Sequence, residues 1–196
     1  SDGSVFDEVA IQAPTAVDLV QTGTPSTGQF SLDVDRLAAS QVLATASYSS
    51  SASVVGSGNL TISVGAPSYA DDSAGGEYTG FTPASGKIAT LTLDSSNNTV
   101  AGLRDAVNAA NIGITASIVA DGSSTRLLFT ANDTGANTAI SITTTETSLS
   151  GLAHGYTDGG SPEWVSNLTE ARVPVDASFK LNGLSLTSSS NVINNL

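Results

Sequence analysis

Between residues 90 and 145 the spacing of apolar residues switches from strand to helix and back, and this constrains the possible fold more than any other stretch. Leu91 and Leu93 close a short strand. Asn97, Asn98 and Thr99 then start a helix, in which Val100, Leu103, Ala106, Val107 and Ala110 fall on one stripe of helical period. Thr99 suits the N-cap, because its hydroxyl can accept from the free amides of the first turn. Gly113 stands at the expected C′ position, where the chain leaves the helix. Ile114, Ala116 and Ile118 alternate with Thr115 and Ser117, which is strand period. Asp121-Gly122 marks a turn, and Leu127 and Phe129 alternate with Leu128 and Thr130. Turn chemistry follows at 132–137, and Ile140 and Ile142 close a last strand. So short a helix cannot stand alone and must lay its stripe on the sheet. The unit is therefore strand, helix, strand, hairpin, strand.

Outside this unit the chain reads mostly as strand and loop. A strand is expected at 9–11, a turn or loop at 22–28, and a half-buried strand carrying Phe30, Leu32 and Val34. The stretch 37–46 reads as extended with an irregular middle, and 48–58 as a Ser-rich linker. Leu60, Ile62 and Val64 mark another strand. Residues 66–86, poor in apolar side chains, read as an insertion or surface loop, and 148–162 as loop again. Ser161-Pro162-Glu163 can cap a short helix carrying Trp164, Val165 and Leu168. In FKLNGLSLTS the strands of Phe179 and Leu181 and of Leu184 and Leu186 flank Asn182-Gly183. That dipeptide tolerates positive φ at both central positions and predicts a type I′ hairpin.

Composition narrows the function classes. Hydrophobic content is 39% but aromatic content only 5%, so cores must be built from Val, Leu, Ile and Ala. The chain carries six Lys and Arg and a net charge of -12, which excludes nucleic-acid binding and docking on anionic lipid. There is no Cys, so thiolate catalysis and thiolate metal sites are excluded. No run approaches the ~20 apolar residues of a membrane span. Met is absent even at position 1, so the sequence reads as an internal or trimmed piece of a longer protein.

The wording of three stretches is more specific than their pattern. NNTVAGLRDAVNAANIGITASIV, followed by RLLFTANDTGAN, resembles a module of bacterial flagellar axial proteins that recurs in flagellin and in the filament cap. GQFSLDVDRLAASQVL resembles the amino-terminal part of the filament cap family, hook-associated protein 2, and VDASFKLNGLSLTSSSNVINNL resembles the start of its carboxy-terminal region. The resemblance covers 28–196, in the family's order. The family's helical legs are missing from both ends, so the sequence resembles the head. The resemblance implies a non-enzymatic protein exported by the flagellar route. It would sit extracellularly at the filament tip as a ring of copies and assist the assembly of flagellin.

The expected fold is α+β, mostly β, with two small β-rich domains. An outer, discontinuous one comprises 1–55 and 161–196. The second, 56–160, is inserted in it, contains the flagellin-like module at 86–145, and carries one amphipathic helix packed on a sheet. No catalytic, cofactor or metal residues are assigned. His154, the single histidine, lies in a Gly-rich stretch without a nucleophile-elbow sequence and reads as an exposed imidazole. Asp71, Asp72 and Glu77 lack calcium-loop spacing and read as a solvated acidic loop. Tyr69, Tyr78, Phe81 and Trp164 are candidate contact residues. The structural positions singled out are the stripe Val100, Leu103, Val107 and Ala110 and the turn Asn182-Gly183. The expected partners are other copies in a ring and flagellin. The alternative reading is a β-rich surface adhesin module that binds host glycan or mucin through its loops.

Overall fold

The computed structural model describes residues 31–69, 78–157 and 163–193. The strand expected at 9–11, the loop at 22–28 and the acidic cluster Asp71, Asp72 and Glu77 lie outside them. The described chain is mostly β, with β1 (Leu32–Arg36), β2 (Val42–Ala44), β3 (Gly58–Tyr69), β4 (Tyr78–Leu93), β5 (Ile114–Ala120), β6 (Thr125–Ala131) and β7 (Ala139–Thr143). β8 (His154–Thr157), β9 (Glu163–Ser166), β10 (Thr169–Arg172), β11 (Ala177–Leu181) and β12 (Leu184–Ser188) follow. The helix α1 (Val100–Ala110) separates β4 from β5, and a 3₁₀ turn, Thr147–Leu152, precedes β8. Three sheets result, with strand orders β1-β11-β12, β10-β2-β6-β5 and β4-β3-β7-β8-β9.

α1 forms where the stripe predicts it. Thr99 Oγ1 accepts from the Gly102 amide at 3.1 Å. The two preceding first-turn amides are also satisfied: Val100 N donates to Ser53 O and Ala101 N to Ser51 O. The Ser-rich stretch expected to be a linker is thus packed against the helix start, with Val55 buried. At the other end the expectation needs correction. The helix closes on Asn111, which takes the left-handed conformation at φ 49, and Gly113 follows at φ 85. Asn tolerates that region because its short side chain finds local partners. Val100, Leu103 and Val107 are buried and Ala110 is half-buried against the core.

One buried cluster joins α1 to Leu60, Ile62 and Val64 of β3, Ile140 and Ile142 of β7, and Leu127 and Phe129 of β6. Leu43 of β2 and Leu168, which precedes β10, belong to the same cluster. β2 pairs with β6 through Val42–Thr130, Leu43–Phe129 and Ala44–Leu128. A sheet therefore crosses both expected domain boundaries, because β2 and β10 come from the stretches assigned to the outer domain. Gln41, almost fully buried, ties two sheets together: its Oε1 accepts from Ile140 N and its Nε2 donates to Glu170 Oε1.

Two loop expectations and one helix expectation are overturned. Ala66–Tyr69 and Tyr78–Gly86 are strand, because β3 and β4 pair from Gly58–Leu93 out to Tyr69–Tyr78. Backbone pairing along a hairpin does not need an apolar face, so the polar wording misled. In the stretch 148–162 the described residues are the 3₁₀ turn and β8, and the helix expected around Trp164 is strand β9. β9 pairs with β8 through Tyr156–Trp164.

Asn182 and Gly183 have φ 50 and φ 81, the positive values a type I′ turn requires. Asn182 also ties the hairpin to β1, since its amide donates to Ser31 O and its Oδ1 accepts from Ser31 N. Register puts Leu32, Leu181 and Leu184 side by side, and likewise Val34, Phe179 and Leu186.

Candidate functional site

The far end of the long β3–β4 hairpin carries the aromatic residues that sequence marked as contact candidates. Tyr69 closes β3 and Tyr78 opens β4, so cross-strand pairing sets their rings 4.8 Å apart. Trp164 of β9 lies flat on Tyr78, with centroids 3.8 Å apart and planes 8° apart. All three are half-buried. The Tyr69 hydroxyl lies 3.5 Å from that of Tyr78. Burial, then this contact, raises the Tyr78 pKa, so its hydroxyl stays neutral.

Behind the stack sits His154, and here the expected exposed imidazole is overturned. His154 is 2% exposed on β8, and its ring meets Trp164 edge-on at 5.2 Å. Its Nδ1 lies 3.2 Å from Ser166 Oγ, which in turn lies 3.4 Å from Leu168 O. Nε2 is buried without a hydrogen-bond partner among the described residues. Burial holds the imidazole down at about 4. The pairing that places His154 beside Ile142 joins residues of separate strands, so no signal of this burial was available in sequence.

Phe81 lies elsewhere, along an open groove of about 470 Å³ on one face of the five-stranded sheet. Thr61, Ser63, Ser141 and Thr143 supply hydroxyls, Phe81 and Tyr156 supply aromatic surface, and no lining residue is charged. Such a surface can hydrogen-bond and stack on a neutral polar ligand, but it offers no general base or nucleophile pair. Among the described residues no group of three or more His, Cys, Asp or Glu could hold a metal ion. The stripe residues of α1 and the turn Asn182-Gly183 lie apart from both features and are structural in position.

No family model matches the chain. It is 30% identical over 164 residues to the B-type flagellar hook-associated protein 2 of Pseudomonas aeruginosa, covering 76% of this chain and 31% of that protein. It is 27% identical over 189 residues to the flagellar hook-associated protein 2 of Escherichia coli O157:H7, covering 94% and 36%. Among solved structures, the D2-D3 domains of the flagellar cap protein FliD from Serratia marcescens match with a TM-score of 0.68. Identity there is 25%, over 90% of this chain and 85% of that one. The chain belongs to the flagellar hook-associated protein 2 (FliD) family. FliD from P. aeruginosa PAO1 matches as well, with a TM-score of 0.62 and 26% identity over 90% of this chain and 72% of that one. The chain spans about a third of the length of these FliD-family relatives, 31% and 36%.

Proposed function

We propose that this chain is a structural, non-enzymatic part of a flagellar filament cap, acting outside the cell at the filament tip to assist flagellin assembly. The observation that carries the reading is the match to D2-D3 domains of a flagellar cap protein over 85% of their length. The burial of the one histidine supports a non-catalytic role, since an imidazole shut behind Trp164 cannot reach a substrate. In the full-length protein the copies self-associate as a ring, with this region as the head. The test is imaging of a labelled parent protein in motile cells. Signal confined to filament ends is expected, and signal spread along the envelope would overturn the reading.

The hydroxyl-lined groove supports a second reading, a surface module that binds neutral host glycan or mucin. Its aromatic walls and uncharged lining suit sugar hydroxyls and faces. Retention on immobilised mucin that drops with Phe81→Ala would favour it. Retention unchanged by that substitution would exclude this groove.

A further inference from the structure

The five-stranded sheet is fastened unevenly. β3 pairs with β4 along nearly its whole length and with β7 from Thr61 to Gly65. β8, by contrast, meets β7 at one register pair, Ile142 with His154. Next to it, Gly155 adopts φ 148 and leaves no room for a Cβ beside Ser141 Oγ. The β8–β9 hairpin is thus joined to the sheet by the Ile142–His154 pair and by Trp164 lying flat on Tyr78 of β4, while His154 packs edge-on against Trp164 and beside Ser166 within the hairpin. We propose that β8–β9 is an acid-released hairpin: protonation of His154 detaches it from β7 while β3, β4 and β7 remain paired.

The geometry makes the added proton costly in place and harmless once the hairpin is free. In place, Nε2 has no acceptor among the described residues to which it could donate. Among the described residues no carboxylate lies within ion-pair distance of the ring. The described groups beside it are neutral: Ile142, Trp164 and the Ser166 hydroxyl, with Tyr78 and then Tyr69 beyond Trp164. The carboxylate of Glu170 acts on Tyr78 and accepts from Gln41, not from the imidazole. An unpaired buried charge is expelled by opening the structure around it. The direction follows from the lowered folded value, about 4 against 6.5. Above pH 6.5 both states are neutral and the hairpin has its full stability. As pH falls from 6.5 to about 4 the open form binds the proton first, so stability is lost across that window. The opening equilibrium should rise on the order of a hundredfold from pH 7 to pH 4.

Amide hydrogen exchange on the intact chain tests this, with rates corrected for intrinsic pH dependence. Protection of residues 154–157 and 163–166 should fall about a hundredfold relative to β3 and β7, while far-UV dichroism holds. Trp164, the chain's one tryptophan, should lose its near-UV signal over the same range. His154→Gln should remove the pH dependence. If that variant is already open at pH 7, the single imidazole resonance of the unaltered chain decides. Titration near pH 6.5 with the hairpin still protected would overturn the proposal. So would loss of β8–β9 protection only together with β3 and β7.

Discussion

At the scale of single residues, three positions carry most of the local argument. Leu103 is fully buried at the centre of the helical stripe. Leu103→Asp should destabilise the core by several kcal/mol, on the order of 3, because the carboxylate is buried without a partner. Urea denaturation measures this, and a change under 1 kcal/mol would contradict the buried placement. Gly183 adopts φ 81 with open space around it, so its requirement is conformational rather than steric crowding. Gly183→Val should cost more than ~1 kcal/mol, because a β-branched residue resists positive φ. Gln41 illustrates a role invisible in sequence. Gln41→Leu keeps the bulk but strands the buried Ile140 amide, and a loss of roughly 1–3 kcal/mol is expected in the same denaturation assay.

At the scale of elements, α1 secures a sheet edge as well as filling a core. Among the described residues β5 is the last strand of its sheet, with one backbone edge free of strand partners. Asn108 of α1 closes that edge at Ala116: its Nδ2 donates to Ala116 O at 3.0 Å and its Oδ1 accepts from Ala116 N at 2.8 Å. Unpaired edges invite association, and a side-chain amide is one way to cover them. Asn108→Asp keeps the acceptor but replaces the donor with a charge facing a carbonyl. It should therefore cost more than Asn108→Ala, itself about 1 kcal/mol. Comparing the two variants by thermal unfolding checks the ranking, and a smaller cost for Asn108→Asp than for Asn108→Ala would show that only the acceptor matters. The Asp121-Gly122 turn is secured differently. Asp121 Oδ1 accepts from the Ser123 and Ser124 amides, and the Ser124 contact leads the effects that hold its carboxyl down at about 2.

At the scale of the whole molecule, the shared core recasts the expected division into domains. We propose that the two larger sheets and α1 unfold as one cooperative unit, since Leu43, Phe129, Ile142 and Leu103 belong to one buried cluster. The three-stranded sheet, whose Phe179 is buried outside that cluster, is the part free to unfold separately. Calorimetry of Leu103→Asp should move the main transition and leave any minor one in place. Charge governs association. With a net charge of -12, like copies repel, most strongly at low salt where the Debye length is ~30 Å. The isolated chain should be mainly monomeric at micromolar concentration, with oligomers increasing as salt screens the repulsion. Light scattering across a salt series measures this, and a stable oligomer at low salt would show a strong head interface.

Local physics was legible in the chain itself. The helix over 100–110, its Thr99 cap and the Asn182-Gly183 turn each depend on neighbours within a few residues, where period, capping chemistry and φ preference suffice. The alternation at Ile114, Ala116, Leu127 and Phe129 likewise announced strands with one buried face. Tertiary structure decided everything that depends on a distant partner. The outer half of β3–β4 is strand because its backbone pairs with itself across the hairpin, which a polar sequence neither requires nor forbids. Trp164 lies on a strand because β8 supplies the pairing, and His154 is buried because that strand places it beside Ile142. Short polar segments have weak intrinsic preferences, so hydrogen-bond partners far away in sequence choose their conformation, and burial follows from that choice.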